Sequence, residues 1–143
     1  MPSGNGVSFH VPRYDLTVKA LWLERNARLV EVIRSALPTR CLYSHVVVSG
    51  QTIGAVTRIR YDGPGVMVPR VFGSVFFYQP SQKINLCYGE ITESAKVNQF
   101  AEVIPDDLEA LRQLGSRVWA DTVANPVRHN VEVDIQEWLT CKT

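Results

Sequence analysis

Hydrophobic and polar residues alternate in two short runs near the start of the chain, at positions 7–11 and 16–21. This period of two is the pattern of a β-strand with one buried face. Residues 12–15, Pro-Arg-Tyr-Asp, separate the two runs and have the composition of a turn. The pattern predicts a β-hairpin, or two strands joined by a turn.

A helical period follows between Asn26 and Pro38. Apolar residues recur there at spacings of three and four, at Ala27, Val30, Ile33 and Leu37. Asn26 is a typical N-cap residue, and the residue before a proline is sterically disfavoured in the helical conformation. We therefore predict a helix that begins after Asn26 and ends before Pro38.

The middle of the chain is rich in β-branched and aromatic residues. Residues 42–48 and 53–61 predict two strands, and residues 71–78 predict a third strand with both faces covered. The short turn at residues 79–82 favours an antiparallel hairpin between this third strand and the next run. In that run two faces alternate: Ile84, Leu86 and Tyr88 lie opposite Lys83, Asn85 and Cys87.

A second helix is predicted to begin near Pro105, because proline is favoured in the first helical turn. Glycine inside a helix is unfavourable by about 0.5–1 kcal/mol relative to alanine, so we expect Gly115 to lie close to another backbone. We expect Trp119 in the core. The alternating residues 131–135 predict a final edge strand or a segment that pairs with another subunit. The apolar stripe of the helix is Leu108, Leu111, Gly115 and Val118, with Leu114 and Trp119 beside it.

These elements predict an α+β domain, mainly β, in which a closed or strongly curled antiparallel sheet is capped by two helices. The chain has 143 residues and shows no repeat, low-complexity tract or linker, so we predict a single domain over residues 1–143. Within it we expect residues 1–6 to be disordered. Residues 125–143 are expected to form a C-terminal tail that serves as an edge strand or an oligomer contact.

Composition excludes several classes of function. The chain has 15 lysines and arginines against 14 aspartates and glutamates, so it offers no general cationic surface for nucleic acid or an anionic membrane. No apolar run approaches the roughly 20 residues of a membrane span. The first residues lack the basic and apolar regions of a signal peptide. We therefore predict a cytoplasmic protein.

Metal, disulfide and nucleotide-cofactor chemistry have no sequence motif here. The three cysteines are Cys41, Cys87 and Cys141, which form no CxxC pair, and we expect the first two to be buried. The three histidines are His10, His45 and His129, which show neither HxH nor HxxxH spacing. The chain also lacks a GxGxxG fingerprint. We expect no metal and no nicotinamide cofactor.

Residues 88–103 combine carboxylates, a lysine, amides and hydroxyls with little apolar periodicity. This composition predicts a polar loop between a strand and the second helix, which is where binding and catalytic groups are often held. From the pattern alone, the alternative is a solvated connection whose charges face water.

The same stretch carries a family resemblance. Tyr88-Gly89-Glu90 followed by the segment from Ala95 to Phe100 resembles the cyclophilin-like bacterial proteins that include cucumopine synthase. The resemblance runs from about Leu37 to Asp121 and implies a cyclophilin-like closed antiparallel β-barrel, with helices at its ends, that forms homo-oligomers. Weaker matches are Leu37-Pro38, Ser44-His45, Ser49-Gly50, Phe72-Gly73, Gln79-Pro80-Ser81-Gln82 and Val118-Trp119.

For cucumopine synthase the family activity is opine formation, a redox-free condensation of histidine with 2-oxoglutarate that closes a ring in a Pictet-Spengler-type step. The resemblance implies an amino acid and a 2-oxo acid as small-molecule partners and no cofactor. It makes Lys96 and Glu90 the candidates for proton transfer. A salt bridge between these two side chains that fastens the loop is the alternative.

Other residues are predicted to support this chemistry. His45 can supply a group that titrates near neutral pH, although a hydrogen-bonded core histidine is the alternative. The predicted substrate-binding residues are Asn98, Gln79, Tyr88, Arg60 and Arg70; the two arginines flank a glycine-rich turn and can clamp carboxylates.

Two further functions stay open at this point. The first is a small-molecule-binding module without catalysis, because one fold hosts many functions. The second is peptidyl-prolyl isomerase activity, which the fold name alone suggests.

Overall fold

The fold is a closed antiparallel β-barrel in the computed structural model, which describes residues 5–46 and 50–139. Within these residues eight strands follow one another in the order β2-β1-β9-β3-β4-β7-β6-β8, and β2 pairs with β8 to close the ring. A short strand, β5, pairs with β8 outside the ring. The strands are β1 (Gly6–Val11), β2 (Leu16–Trp22), β3 (Thr39–His45), β4 (Gly50–Val56), β5 (Met67–Val68), β6 (Ser74–Tyr78), β7 (Lys83–Ile91), β8 (Val97–Val103) and β9 (Val131–Trp138).

Two helices complete the core, α1 (Ala27–Ser35) and α2 (Leu108–Trp119). Helix α2 contacts β2, β3, β4 and β7, which lie on opposite sides of the ring, so it closes one end of the barrel. Both helices bury their apolar stripes in one hydrophobic cluster with the inward faces of the strands. The alternation along β7 shows the two faces: Ile84, Leu86 and Tyr88 point into this cluster, whereas Asn85 and Cys87 point outward.

The predicted fold class is confirmed: the domain is mainly β, closed and antiparallel, with two helices. The N-terminal hairpin pairs β1 with β2, and the hairpin of β6 and β7 turns at residues 79–82. Phe76 and Phe77 are both buried, as expected for a strand with both faces covered. Cys41 and Cys87 are buried as expected, and Cys141 lies outside the described residues.

Several boundaries differ from the predictions. Residues 97–103 form the strand β8, although they were expected to continue a polar loop, so the connection shrinks to residues 92–96. The polar residues Asn98 and Gln99 concealed the strand, because an irregular register with β6 interrupts the alternation there. Strand β4 ends at Val56, five residues before the predicted end, and the predicted strand at residues 71–78 begins only at Ser74.

The interpretation of the C-terminal segment as an edge strand is wrong. Strand β9 pairs with β1 on one side and β3 on the other, so it is a central strand of the ring. The backbone of Asn5 joins the same pairing through a 3.0 Å hydrogen bond to Trp138. Residues 1–4, 47–49 and 140–143 lie outside the described part of the chain. Within that part, no helix is long and apolar enough to cross a membrane.

Helix details also differ from the predictions. Helix α1 ends at Ser35, and Asn26 makes no side-chain cap but bonds to β8 instead. Trp119 is 40% exposed rather than in the core. Gly115 does approach a neighbour, but that neighbour is an aromatic ring: a Cβ atom built on Gly115 would lie 2.0 Å from Cγ of Tyr88.

We predict that Gly115→Ala destabilises the fold. The ring carbon Cγ lies on the axis about which a tyrosine ring rotates, so turning the ring cannot relieve the overlap. Overpacking of this kind costs about 1–3 kcal/mol, and alanine recovers only about 1 kcal/mol of helix propensity. Because an approach of 2.0 Å is severe, we expect a net loss near the upper limit, about 2 kcal/mol, in the free energy of unfolding, measured by urea titration.

The matched control is Ser116→Ala, at the exposed neighbouring position of the same helix. It changes helix propensity without meeting the ring, so its stability should stay within about 0.5 kcal/mol of the wild type. If Gly115→Ala proved as stable as Ser116→Ala, the close packing of α2 on Tyr88 would be disproved.

Candidate functional site

A groove of about 490 Å³ lies on the outward face of β6 and β7 and is walled by β5 and the 92–96 connection. This volume is within the usual range for small-molecule sites. Asn85 and Phe76 stand directly opposite each other on β7 and β6 and form the floor. The wall at β5 is placed by its pairing with the start of β8, at Met67 opposite Asn98. Strand alternation therefore directs floor residues away from the barrel core and into the groove.

A small second hydrophobic cluster supports the floor. It consists of Phe76, Cys87 and Val97, all buried, with Ile91 packed against them. Burial raises the pKa of Cys87 to about 11, although the neighbouring Thr52 hydroxyl opposes this shift. The Cys87 thiol is therefore protonated at neutral pH and unsuited to act as a nucleophile.

Arg70 is the best-anchored charged group of the groove, with 8% of its side chain exposed. Its Nε donates a 3.2 Å hydrogen bond to the carbonyl of Ala95, and its Nη1 lies 3.4 Å from a carboxylate oxygen of Glu93. The guanidinium carbon lies 5.1 Å from the centre of the Phe76 ring. These contacts hold the 92–96 connection against β6 and fix the guanidinium beside the floor.

The electrostatic character of the groove is positive. Among its described lining residues, Arg70, Lys83 and Lys96 are cations and Glu93 is the carboxylate. The chain as a whole carries a formal charge of +1, so this is a local concentration of positive charge. Such a cluster favours an anionic ligand such as a carboxylate.

Asn98 belongs to the lining, but its amide is already engaged. Its Oδ1 accepts a short hydrogen bond from Nδ2 of Asn26, which also donates to the Gln99 carbonyl at 2.8 Å. The same amide packs against Gly65, where any Cβ atom would collide with it. Asn98 therefore ties β8 to the turn that follows β2 and to the segment leading into β5.

The structure brings together four of the residues predicted from sequence, since Lys96, Asn98, Gln79 and Arg70 all line the groove. Lys96 is exposed, and Gln79 donates a 2.9 Å hydrogen bond to Asp62 at the rim.

Glu90 and Arg60 are not part of the lining, and both are exposed. The backbone N–H of Glu90 donates to the Gln51 side chain at 2.7 Å, whereas Glu93 is the carboxylate that reaches the groove. The structure therefore does not place Glu90 in one pocket with Lys96.

His45 and Tyr88 form a separate cluster at the end of the barrel closed by α2. His45 Nε2 and the Tyr88 hydroxyl share a 2.7 Å hydrogen bond, and the imidazole packs edge-on at 5.0 Å from the Trp119 ring. Burial lowers the pKa of His45 and raises the pKa of Tyr88, so both are neutral at pH 7. Tyr88 points inward, so the strands separate this cluster from the groove.

Sequence reasoning missed part of the groove. Lys83 and Asn85 were assigned to the face opposite Ile84, Leu86 and Tyr88 without a role, and Phe76 was assigned only to a strand with both faces covered. The glycine at position 54 was a sequence signal for Asn85. Gly54 on β4 pairs with Asn85, and its lack of a side chain leaves room for the amide. That pairing joins residues 31 positions apart, which the local pattern does not show.

A larger open cleft of about 910 Å³ lies over the outward face of β3. Two of its arginines are already paired: Arg13 lies 2.8 Å from Asp121, and Arg40 lies 2.6 Å from Asp134. The smaller groove, with cations beside a buried aromatic floor, is the better candidate for ligand binding. No cluster of three or more histidine, cysteine, aspartate or glutamate side chains suited to a metal ion occurs among the described residues.

Two solved structures resemble the chain over nearly its whole length. The structure of McbB in complex with tryptophan has a TM-score of 0.79 and 26% sequence identity, covering 96% of this chain and 46% of McbB. The solution structure of the hypothetical protein AF2241 from Archaeoglobus fulgidus has a TM-score of 0.62 and 16% identity, covering 95% and 96% of the two chains. The second likeness shows the fold alone.

The chain thus spans about half the length of McbB. Comparison with protein-family models and with curated proteins gave no match. The structural neighbours fit the cyclophilin-like barrel that the resemblance implied, and the barrel is an McbB-like one.

Proposed function

We propose that this protein binds an α-amino acid with an aromatic side chain in the groove and condenses its amino group with a 2-oxo acid. The observation that carries the proposal is the fixed guanidinium of Arg70 beside the aromatic floor, in a barrel similar to one solved with tryptophan bound. Because McbB is about twice as long as this chain, its ligand is a guide to the ligand class only.

The groove offers matching contacts for both ends of such a ligand. An amino acid and a 2-oxo acid each carry a carboxylate, for which Arg70 and Lys96 supply charge-assisted hydrogen bonds. The ring finds apolar surface at Met67, which is 54% exposed, beside the buried Phe76. Tyr78, 48% exposed at the rim, extends the same surface.

The proposed reaction needs no oxidant or reductant. The free amine adds to the keto carbon of the oxo acid, and loss of one water from the carbinolamine gives an imine. A carbon of the aromatic ring then attacks the protonated imine carbon, and the proton on that ring carbon leaves to restore aromaticity. Overall, two substrate molecules give one cyclic product and one molecule of water.

The protein must supply an acid for the departing hydroxyl and a base for the ring proton. In the proposal, Lys96 donates the proton to the hydroxyl and holds a substrate carboxylate. Glu93 accepts the ring proton, because it is the groove carboxylate. Glu90 and His45, predicted from sequence as catalytic, and Tyr88 and Arg60, predicted to bind substrate, have no role in this proposal; the variants below test Glu90 and Arg60.

The substrate pair follows from two independent likenesses. The sequence resemblance points to histidine with 2-oxoglutarate, and the structural likeness to McbB points to tryptophan. Both amino acids carry an electron-rich ring carbon that can attack an imine, so both enter the tests below.

One observation favours a second candidate function, a binding module without catalysis. Residues 92–96 are exposed, so the described groove does not exclude water from Lys96 and Glu93. Enzymes of this type gain from excluding water around the reacting groups. A bound amino acid recovered chemically unchanged would support this second candidate.

Ligand binding is measured by isothermal titration calorimetry. Tryptophan or histidine should bind the wild type, and Arg70→Gln should weaken that binding at least about tenfold, because a hydrogen bond to a charged group contributes about 1.5–3 kcal/mol.

The matched control for binding is Arg60→Gln, since Arg60 is exposed and outside the groove. Its affinity should equal that of the wild type. Equal losses in the two variants would show that net charge, rather than the groove, governs binding.

Turnover is measured with both substrates present. Tryptophan or histidine incubated with 2-oxoglutarate and the protein should give an adduct that lacks one water, detected by mass spectrometry. Treatment with borohydride distinguishes the cyclic product from an open imine of equal mass, because only the imine gains two hydrogens. Lys96→Met should lower the rate about 10²-fold, the usual contribution of one acid or base.

The variants Glu93→Gln and Glu90→Gln form a matched pair three residues apart. We expect the first to lose activity at the level of Lys96→Met and the second to retain it. Loss in Glu90→Gln alone would return the role of base to the residue predicted from sequence. Cyclic product at the rate of the protein-free mixture would refute the enzymatic proposal.

A further inference from the structure

The floor of the groove contains a buried amide without a partner. Asn85 is 4% exposed, and its Oδ1 is buried with no hydrogen-bond partner in the described part of the chain. Buried polar side chains nearly always have a partner, so an orphaned one calls for a physical explanation. Asn85 lines the groove, so its amide lies within reach of a ligand bound there.

The surroundings show that the site is built for this amide. Asn85 pairs with Gly54 on β4 and with Phe76 on β6, so the three residues form one row across the outward face. A Cβ atom at Gly54 would lie 2.0 Å from the Asn85 oxygen, so only glycine leaves the space that the amide occupies.

The orientation of the Asn85 amide is not fixed by hydrogen bonds in the described part of the chain. No described residue hydrogen-bonds to either of its polar atoms, so no hydrogen bond selects one of its two orientations. A half-turn about the terminal torsion exchanges the oxygen and the nitrogen. In the exchanged orientation the nitrogen lies over Gly54 and the oxygen faces the groove as an acceptor.

We propose that Asn85 determines ligand specificity by accepting a hydrogen bond from the ring N–H of a bound aromatic amino acid. This inference rests on the function proposed above. The Asn85 acceptor selects indole and imidazole side chains over rings without an N–H.

The spacing suits such a ligand. Asn85 stands one strand spacing, about 5 Å, from Phe76, and the Arg70 guanidinium lies 5.1 Å from the centre of the Phe76 ring. An amino acid whose carboxylate meets Arg70 can extend its ring beside Phe76 toward Asn85. Sites that hydrogen-bond a ligand N–H reject analogues without it, because the buried acceptor is then left unpaired.

The test compares tryptophan with 3-benzothienylalanine, in which sulfur replaces the ring N–H at nearly the same shape. For histidine the matched analogue is thienylalanine. Calorimetry on the wild-type protein should show the N–H ligand binding at least tenfold more tightly than its sulfur analogue. In Asn85→Leu that ratio should fall to about one, through weaker binding of the N–H ligand and unchanged binding of the sulfur analogue.

Asn85→Ala serves as a second variant, because it removes the acceptor without filling the groove; circular dichroism and thermal unfolding check that both variants fold. Equal binding of the two ligands to the wild type, with both weakened by Arg70→Gln, would overturn the role of Asn85 and leave the proposed function intact. Failure of tryptophan and histidine alike to bind the wild type would overturn both.

Discussion

The pairing of β2 with β8 is the interaction on which the architecture depends. It joins Ala20 to Val103 and Trp22 to Ala101, and it turns an open sheet into a ring without unpaired edges. Closure encloses the inward face, which is filled by apolar side chains and by the two helices. The groove proposed to bind the ligand lies instead on the outward face of β6 and β7.

The same closure shapes one wall of the groove. The turn after β2 follows directly on the closing pair, and the Leu23 backbone N–H still donates to the Phe100 carbonyl at 2.9 Å. Asn26, at the end of that turn, is thereby placed against Asn98 on β8. Asn98 in turn packs against Gly65 before β5. A wall of the site is thus positioned by a contact between residues 72 positions apart.

This dependence explains what the sequence could predict. Regular alternation at Ile84, Leu86 and Tyr88 predicts β7 correctly, because one uniform apolar core covers that face. In β8 the signal fails, because Gln99 is buried by a polar network with Asn26 and Arg25 rather than by apolar contacts. Groove residues close to one another in sequence, such as Lys96 and Asn98, were recognised through a family motif. Phe76 and Asn85 lie on two other strands, and their proximity depends on the register between β6 and β7.

The two faces of β7 follow opposite physical rules. On the inward face the side chains of β7 are apolar or hydrogen-bonded: the ring of Tyr88 fills the space above Gly115, and its hydroxyl shares a hydrogen bond with His45. On the outward face Asn85 violates the rule that a buried amide finds a partner, while Gly54 forgoes a side chain to make room for it. Local violations of packing and hydrogen-bonding rules are expected where function constrains the residue. These exceptions on the outward face of β7 therefore support the proposed ligand site.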